Sequence, residues 1–315
     1  MPGIGTNPPG NIGSYYLDPS SVVEDVSDLI FTLTPIDTPL WHLCGDAAAQ
    51  VVFPYHQWQL RALTTYQDNA AFDGFGYTFT SPSRLPRRAL NVLQIQNKDI
   101  RVTRTQQDIQ HYGISNMKAD QIKVKLTELK TDMEHTAMQG TFASGATGTA
   151  RRMVGLLQAI TSNQTSFTNN SAVTFTESLY NSLLEREWNI GGEPHDTLVD
   201  GRTKRWISQT FTGGGSRIVD AQSARYVQTI SEYESDFGTQ SIHLSRNMPS
   251  AAVGGITQRS IVWVDKSHLN KAWLTSPKVE MAAKIADSED LIAVTEWTLE
   301  FGDPGAHFFA RDLTL

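Results

Sequence analysis

The sequence predicts an α+β fold, with helices and strands segregated along the chain. Three observations carry that prediction. A single long amphipathic helix is read at about 116–139. A mainly extended stretch at 51–104 precedes it, and strand patterns close the chain after a region where helices and short strands alternate. At 315 residues the chain accommodates one large or two modest domains.

Residues 1 to about 20 read as an extended arm, with Pro2, Pro8, Pro9 and Pro19 among turn-favouring residues. Met1–Gly13 lacks the basic head and apolar stretch of a secretory signal. Val22, Val23, Val26, Leu29 and Ile30 follow at helical spacing, and the helix is expected to stop before Thr34–Pro39, since a residue preceding proline is pushed out of helical geometry. Such an opening has little core of its own and is suited to lie against something else.

From Val51 the chain is extended. Val51–Phe53, Tyr55–Leu60 and Ala89–Gln96 have strand character, and between them lies an aromatic and glycine-rich tip from Phe72 through Phe79 to Pro86. Two strands flanking a long tip make a hairpin, which is only marginally stable alone in water. In the following helix Ile122, Leu126, Leu129, Met133 and Ala137 form one apolar stripe, with Lys123, Lys125, Glu128, Lys130, Asp132 and Glu134 largely off it. Gly140 ends this helix, and Ser144–Thr149 is expected to be an inter-domain linker.

Beyond the linker, Glu177–Trp188 reads as a helix with Leu179, Leu183 and Leu184 inward, capped by Thr174 or Thr176 and stopped by Gly191 and Gly192. Thr197–Val199 is a short strand, and Asp200 caps a second helix through Arg205 and Ile207. Gly213–Gly215 is a flexible loop. Strands are expected at Gln240–Leu244, Ser260–Val264, Leu291–Phe301 and His307–Leu313.

Composition excludes several function classes. With 26 Lys+Arg against 33 Asp+Glu, a net charge of -7 argues against a dedicated nucleic-acid binder. No apolar run approaches the roughly 18 residues of a membrane-spanning helix. The single cysteine, Cys44, forms no intrachain disulfide and fits a reducing cytosol. Asp236-Phe-Gly238 copies a kinase triplet without the other kinase motifs and reads as a turn between strands. The eight histidines share no ligand spacing, Cys44 has no nucleophile motif, and Gly213–Gly215 lacks the lysine and hydroxyl of a phosphate loop. The residues therefore point to no catalytic or metal site and to no cofactor.

One charge asymmetry stands out. Arg84, Arg87, Arg88, Lys98, Arg101 and Arg104 meet only Asp99, a local excess of +5 over twenty-one residues. This run serves to dock on an acidic patch of another subunit, to contact a phosphate backbone, or simply to solvate a hairpin face. Phe72, Phe75, Tyr77 and Phe79 lie nearby, and Glu232, Glu234 and Asp236 form an acidic counterpart.

Arm, long hairpin, long helix, linker, mixed domain and closing strands resemble, in that order, the Hong Kong 97-type fold of tailed-bacteriophage major capsid (major head) proteins. Local motifs carry the same resemblance: Thr34–Pro39, His56–Gln59, Arg88–Gln96, Glu128–Glu134, Arg152–Leu156, Tyr233–Gly238, Asn247–Pro249, Lys284 and Thr295–Leu299. The resemblance implies an N-terminal arm at 1–50 and an E-loop hairpin at 51–100. It implies a P-domain at 101–149 and 286–302 with its spine helix, and an A-domain at 150–285 and 303–315. It further implies hexamers and pentamers of this chain in an icosahedral shell enclosing double-stranded DNA, assembled in the host bacterial cytoplasm. The implied partners are a portal protein, a separate scaffolding protein and a decoration or minor capsid protein, with weak non-specific contact to the packaged DNA and no membrane. A separate scaffold is expected because no long scaffolding region precedes the arm; non-covalent assembly is expected because no crosslinking Lys–Asn pair can be placed. The alternative is the shell subunit of an encapsulin-like compartment, which shares the fold and stores an enzyme cargo.

Overall fold

The computed structural model describes residues 34–48, 51–63, 66, 68, 70–76, 85–167, 175–211, 218–220, 225–227, 229–253 and 256–314. The arm at 1–20, the helical stretch at Val22–Ile30 and the Gly213–Gly215 loop lie outside the described residues. In chain order, α1 (Pro39–Leu43) and β1 (Gly45–Asp46) lead to a ribbon of β2 (Tyr55–Leu60) and β3 (Arg87–Val92). Then come β4 (Gln94–Thr103), α2 (Arg104–Asp108), α3 (Met117–Gln139), α4 (Leu156–Ala159), β5 (Gln164–Ser166), α5 (Glu177–Ile190), β6 (Asp196–Val199) and α6 (Gly201–Thr210). Strands dominate the remainder: β7 (Ile218–Asp220), β8 (Arg225–Val227), β9 (Glu232–Ser235), β10 (Gly238–Leu244), β11 (Ala251–Val253), β12 (Ile256–Val264), β13 (Asn270–Met281), β14 (Ser288–Glu300) and β15 (Phe308–Leu313).

The α3 helix starts where Asn116 caps it, its side chain accepting from the Ala119 amide at 3.0 Å, and ends at Gly140. Its stripe packs on a four-stranded sheet of order β1-β13-β14-β4. Leu129, Met133 and Ala137 are buried there with Ile100, Val102, Leu291, Ala293 and Trp297, and Ile122 and Leu126 are half-buried against the same cluster. Glu134 departs from the expected polar face: it is fully buried, because its carboxylate accepts two backbone hydrogen bonds from α1.

The second sheet has seven strands, in the order β5-β15-β12-β6-β10-β9 with β11 paired to β12. Alternation along its strands serves two cores. Leu198, Val262, Val264 and Phe309 face the α3 cluster, whereas Val199, Ile261, Trp263 and Phe308 face α5 and α6. Coverage on both faces is why the second half of β12, Ile261–Val264, reads as an uninterrupted apolar run. Thr176 caps α5 and Asp200 caps α6, and Gly191 closes α5 at φ +98, a conformation other residues adopt only at a cost. The Asp236-Phe237 pair is the turn between β9 and β10, with Gly238 at φ +112.

Three expectations need correction. The strand read as continuous over Ala89–Gln96 divides at Leu93: β3 pairs with β2, and β4 pairs with β14. Ser144–Thr149 is a tight hairpin, not a loose linker, with bridges Ala143–Arg152 and Ala146–Thr149, anchored by Arg151 to Glu296 at 2.7 Å. The domain division expected from sequence is crossed by β13. Placed within 150–285 by that reading, it pairs with β14 from Asn270–Glu300 to Met281–Leu291 and belongs to the α3 sheet. Two register shifts, one at 273/275 and one at 275/278 that spans Pro277, break its alternation, so no strand pattern is visible there.

Candidate assembly interface

The β2–β3 ribbon leaves the body from a rigid root. His56 lies 2.7 Å from Glu300, Trp58 donates its indole N–H to the Gly302 carbonyl at 2.7 Å, and the Leu93 amide donates to the Pro54 carbonyl at 2.9 Å. Asn91, buried at the same corner, donates to the Leu299 and Val154 carbonyls at 2.9 and 3.2 Å. Past Leu60 the described residues of the tip are exposed: Leu63, Tyr66 and Leu85 by 84, 97 and 81%, and Phe72 too, while on β3 Leu90, opposite Gln57, is also exposed. A two-stranded ribbon carrying that much apolar surface has no core of its own to bury it.

The aromatic and basic residues expected at an interface separate into distinct places. Phe72 and Phe75 meet edge-to-face at the tip, ring centres 6.1 Å apart, and both are exposed. Tyr77, Phe79 and Arg84 lie outside the described residues. Arg87 and Arg88 sit on the outer half of the ribbon opposite Leu60 and Gln59, exposed and without an ion pair among the described residues.

Lys98, Arg101 and Arg104, in contrast, are held within the subunit. Lys98 pairs with Asp132 of α3 at 2.6 Å, and that hydrogen bond raises its pKa. Arg101 makes a two-pronged contact with Asp290 at 2.8 and 2.9 Å, and the bond to Arg101 holds the aspartate below the ordinary range. Arg104 reaches Asp287 at 3.1 Å. The cause is register: Arg101 stands directly opposite Asp290 in the β4–β14 ladder, 189 residues later in sequence. Among the described residues of the basic run, only Arg87 and Arg88 on the ribbon are left without an ion pair, and Arg61, next to Leu60 at the end of β2, is exposed as well.

Glu232 and Glu234 lie exposed on β9, the edge strand of the seven-stranded sheet, and Asp236 lies in the turn beyond. Tyr233 points the other way, its hydroxyl between Glu177 and Asn181 at 3.1 and 3.0 Å. Acidic and basic sets therefore occupy different sheets, with no ion pair between them among the described residues of one chain. Sequence reasoning missed a neighbouring apolar patch: Trp188 and Ile190 are exposed at the end of α5, and the Trp188 ring is 6.2 Å from that of Phe237. Both fall off the inward stripe of α5, which was a readable signal.

Groups with potential chemistry are used structurally. Burial pushes the Cys44 thiol up to about 12, so it stays protonated near neutral pH. His243 pairs with Asp196 at 2.7 Å and His268 with Asp265 at 2.9 Å. His307 is fully buried, and desolvation lowers it to about 4. Among the described residues, no three His, Cys, Asp or Glu side chains converge as metal ligands, and no helix is long and apolar enough to cross a membrane.

Comparison with known proteins places these features in a family. Residues 7–314 match the family model described as SU10 major capsid protein. Comparison with curated proteins finds no similar sequence. Among solved structures, the capsid of a native GTA particle has a TM-score of 0.63 at 11% identity, covering 98% of this chain and 100% of that chain. The capsid of cyanophage P-SCSP1u has a TM-score of 0.61 at 12% identity, covering 92% and 93%. The SrpI encapsulin of Synechococcus elongatus PCC 7942 has a TM-score of 0.56 at 12% identity, covering 94% and 93%. At these identities the likeness is one of fold.

Proposed function

The chain belongs to the SU10 major capsid protein family, and from that premise we propose that its copies assemble as hexamers and pentamers into the icosahedral head around a phage double-stranded DNA genome. It is a major capsid protein with the Hong Kong 97-type fold, and its role is structural. The likeness to an encapsulin concerns the fold that both share and does not favour a cargo compartment. Four-stranded sheet and α3, now including β13, form the P-domain; the seven-stranded sheet with α5 and α6 forms the A-domain; the β2–β3 ribbon is the E-loop. Assembly takes place in the host cytoplasm, with a portal protein, a separate scaffold and a decoration or minor capsid protein as further partners. The acidic shell holds its DNA only weakly, since phosphate is repelled by like charge.

The observation that carries the assembly reading is the exposed apolar ribbon on a rigid root. Docked on a neighbouring subunit, it buries what it cannot bury at home, and intertwined contacts of this kind reach the ~2,000 Å² at which obligate interfaces begin. Arg87 and Arg88 then meet acidic side chains of another copy, with Glu232, Glu234 and Asp236 the nearest match in chemistry. Deleting residues 1–33, or Phe72 to Pro86, is expected to leave the seven-stranded domain folded and to abolish shells. Light scattering and negative-stain images read the outcome, and normal shells from either deletion would overturn the intertwining.

A further inference from the structure

Glu187 is the one buried side chain in the last turn of α5; Glu185, Arg186, Trp188, Asn189 and Ile190 around it are exposed. Apolar burial on this helix ends at Leu184, so the final turn enters the body through a carboxyl. Its Oε2 accepts from the Asn163 side-chain amide at 2.6 Å, and Oε1 has no hydrogen-bond partner among the described residues. Asn163 is buried too, and its Nδ2 faces Glu187 and the Gly305 and His307 carbonyls, three acceptors for two hydrogens. Just past the helix, Gly191 turns the chain at φ +98. Gly192 then packs so closely that a Cβ there would lie 2.4 Å from Oε1.

This place opposes a charge. The carboxyl is out of water, short of donors, and set at the C-terminal, negative end of the α5 dipole. On α5, Arg186 favours the ionised form, but its guanidinium is engaged elsewhere, bonded to Thr165 and set over the Phe308 ring at 5.4 Å. Glu185 on the helix and Glu193 after it are exposed carboxylates. From the turn before β15 come exposed Asp303, which accepts from the Gly305 amide at 3.0 Å, and buried His307, lowered to about 4 with Asp265 and His268 against it. Burial outweighs the Asn163 bond and Arg186, so the carboxyl titrates above the ordinary glutamate range.

We propose that Glu187 is a proton-held clasp: protonated, it keeps the last turn of α5 seated on Asn163; ionised, it lets that turn, with Trp188 and Ile190, swing out about Gly191 and Gly192. The direction follows from linkage. A seated carboxyl binds its proton more tightly than the same carboxyl in water, so acid favours the seated turn and rising pH the released one. Release is confined to about one turn, because Tyr180, Leu183 and Leu184 stay buried in the core beneath the rest of α5. In the released state the carboxylate is hydrated, and Asn163 keeps the two carbonyls that its two hydrogens can serve. The clasp is a property of one chain and does not depend on how shells assemble.

Hydrogen–deuterium exchange of the full chain tests it, with rates normalised to an unstructured peptide from about pH 6 to about pH 9. In the wild type, the peptide covering Glu185–Gly192 is expected to exchange at least about threefold faster at the alkaline end, while a peptide from Leu126–Met133 keeps its protection. Glu187→Gln, which mimics the protonated group, is expected to hold the slow rate across the whole range. His195→Gln, which removes the exposed imidazole that follows the turn, should retain the wild-type rise. A wild-type profile that is flat or falls with pH, which needs no variant to fold, would overturn the clasp. So would a wild-type rise kept in Glu187→Gln, or one lost with His195→Gln.

Discussion

Replacing Asn91 probes the corner from which the ribbon departs. All of its side-chain hydrogen-bonding capacity is in use: Nδ2 donates to the Leu299 and Val154 carbonyls, and Oδ1 accepts from the Val92 and Val154 amides at 2.8 and 2.9 Å. Asn91→Ala strands two carbonyls and two amides in a buried site. At about 1–3 kcal/mol for each unpaired group, the cost spans about 4–12 kcal/mol. Water entering the vacated space holds it near the lower end, about 4 kcal/mol, still a large share of a domain's stability. Asn91→Asp separates donors from acceptors. It keeps both acceptor contacts, loses both donors and sets a buried charge against two carbonyls. Its carboxyl is raised in the folded state, so the variant's deficit relative to wild type narrows as pH falls and widens as pH rises. Urea unfolding of the unassembled full chain, followed by circular dichroism near neutral and at mildly acid pH, measures both effects. An alanine variant within about 1 kcal/mol of wild type, or an aspartate variant with no pH-dependent deficit, would refute the reasoning.

Other outcomes follow from single features. His307 resists protonation when folded, so stability is expected to fall by about 3 kcal/mol as pH drops from 6.5 to about 4, and a His307→Leu variant should lose that component of the urea midpoint's pH dependence. Gly155→Ala would place its Cβ 2.4 Å from the Gly140 amide nitrogen and 2.9 Å from the Thr136 carbonyl, both backbone, and is expected to cost about 1–3 kcal/mol by thermal or urea unfolding. Gly148→Ala meets open space at φ +82 and should cost about 1–2 kcal/mol from backbone strain alone. Arg87→Glu with Arg88→Glu should slow shell formation, more strongly at low salt, as read by light scattering; assembly unchanged across salt would leave the pair as a solvated face.

Local physics was legible in the chain wherever a signal repeats within a few residues. The stripe through Leu129, Met133 and Ala137, the caps at Thr176 and Asp200, the turn at Asp236-Phe237 and the strand at Ser260–Val264 each rest on spacing or turn chemistry contained in one segment. The ordered motifs likewise carried the resemblance to phage capsid proteins, since they need only sequence order. The hairpin's lack of a core was readable from its aromatic and glycine-rich tip between two short strands.

What the sequence by itself determined, then, is which segments are helix, ribbon and strand, and which family they resemble, because those features are encoded over short spans. Tertiary structure alone decided the partnerships. Arg101 is neutralised by an aspartate 189 positions away, β13 joins the α3 sheet despite Pro277, and the chain breaks at Leu93 so that one run serves two sheets. Glu134, read as one charge among many on a helix surface, is buried because the amides of α1 fold back onto it. A charge or a strand edge has no fixed role until its hydrogen-bonding partner arrives, and that partner comes from a distant part of the chain.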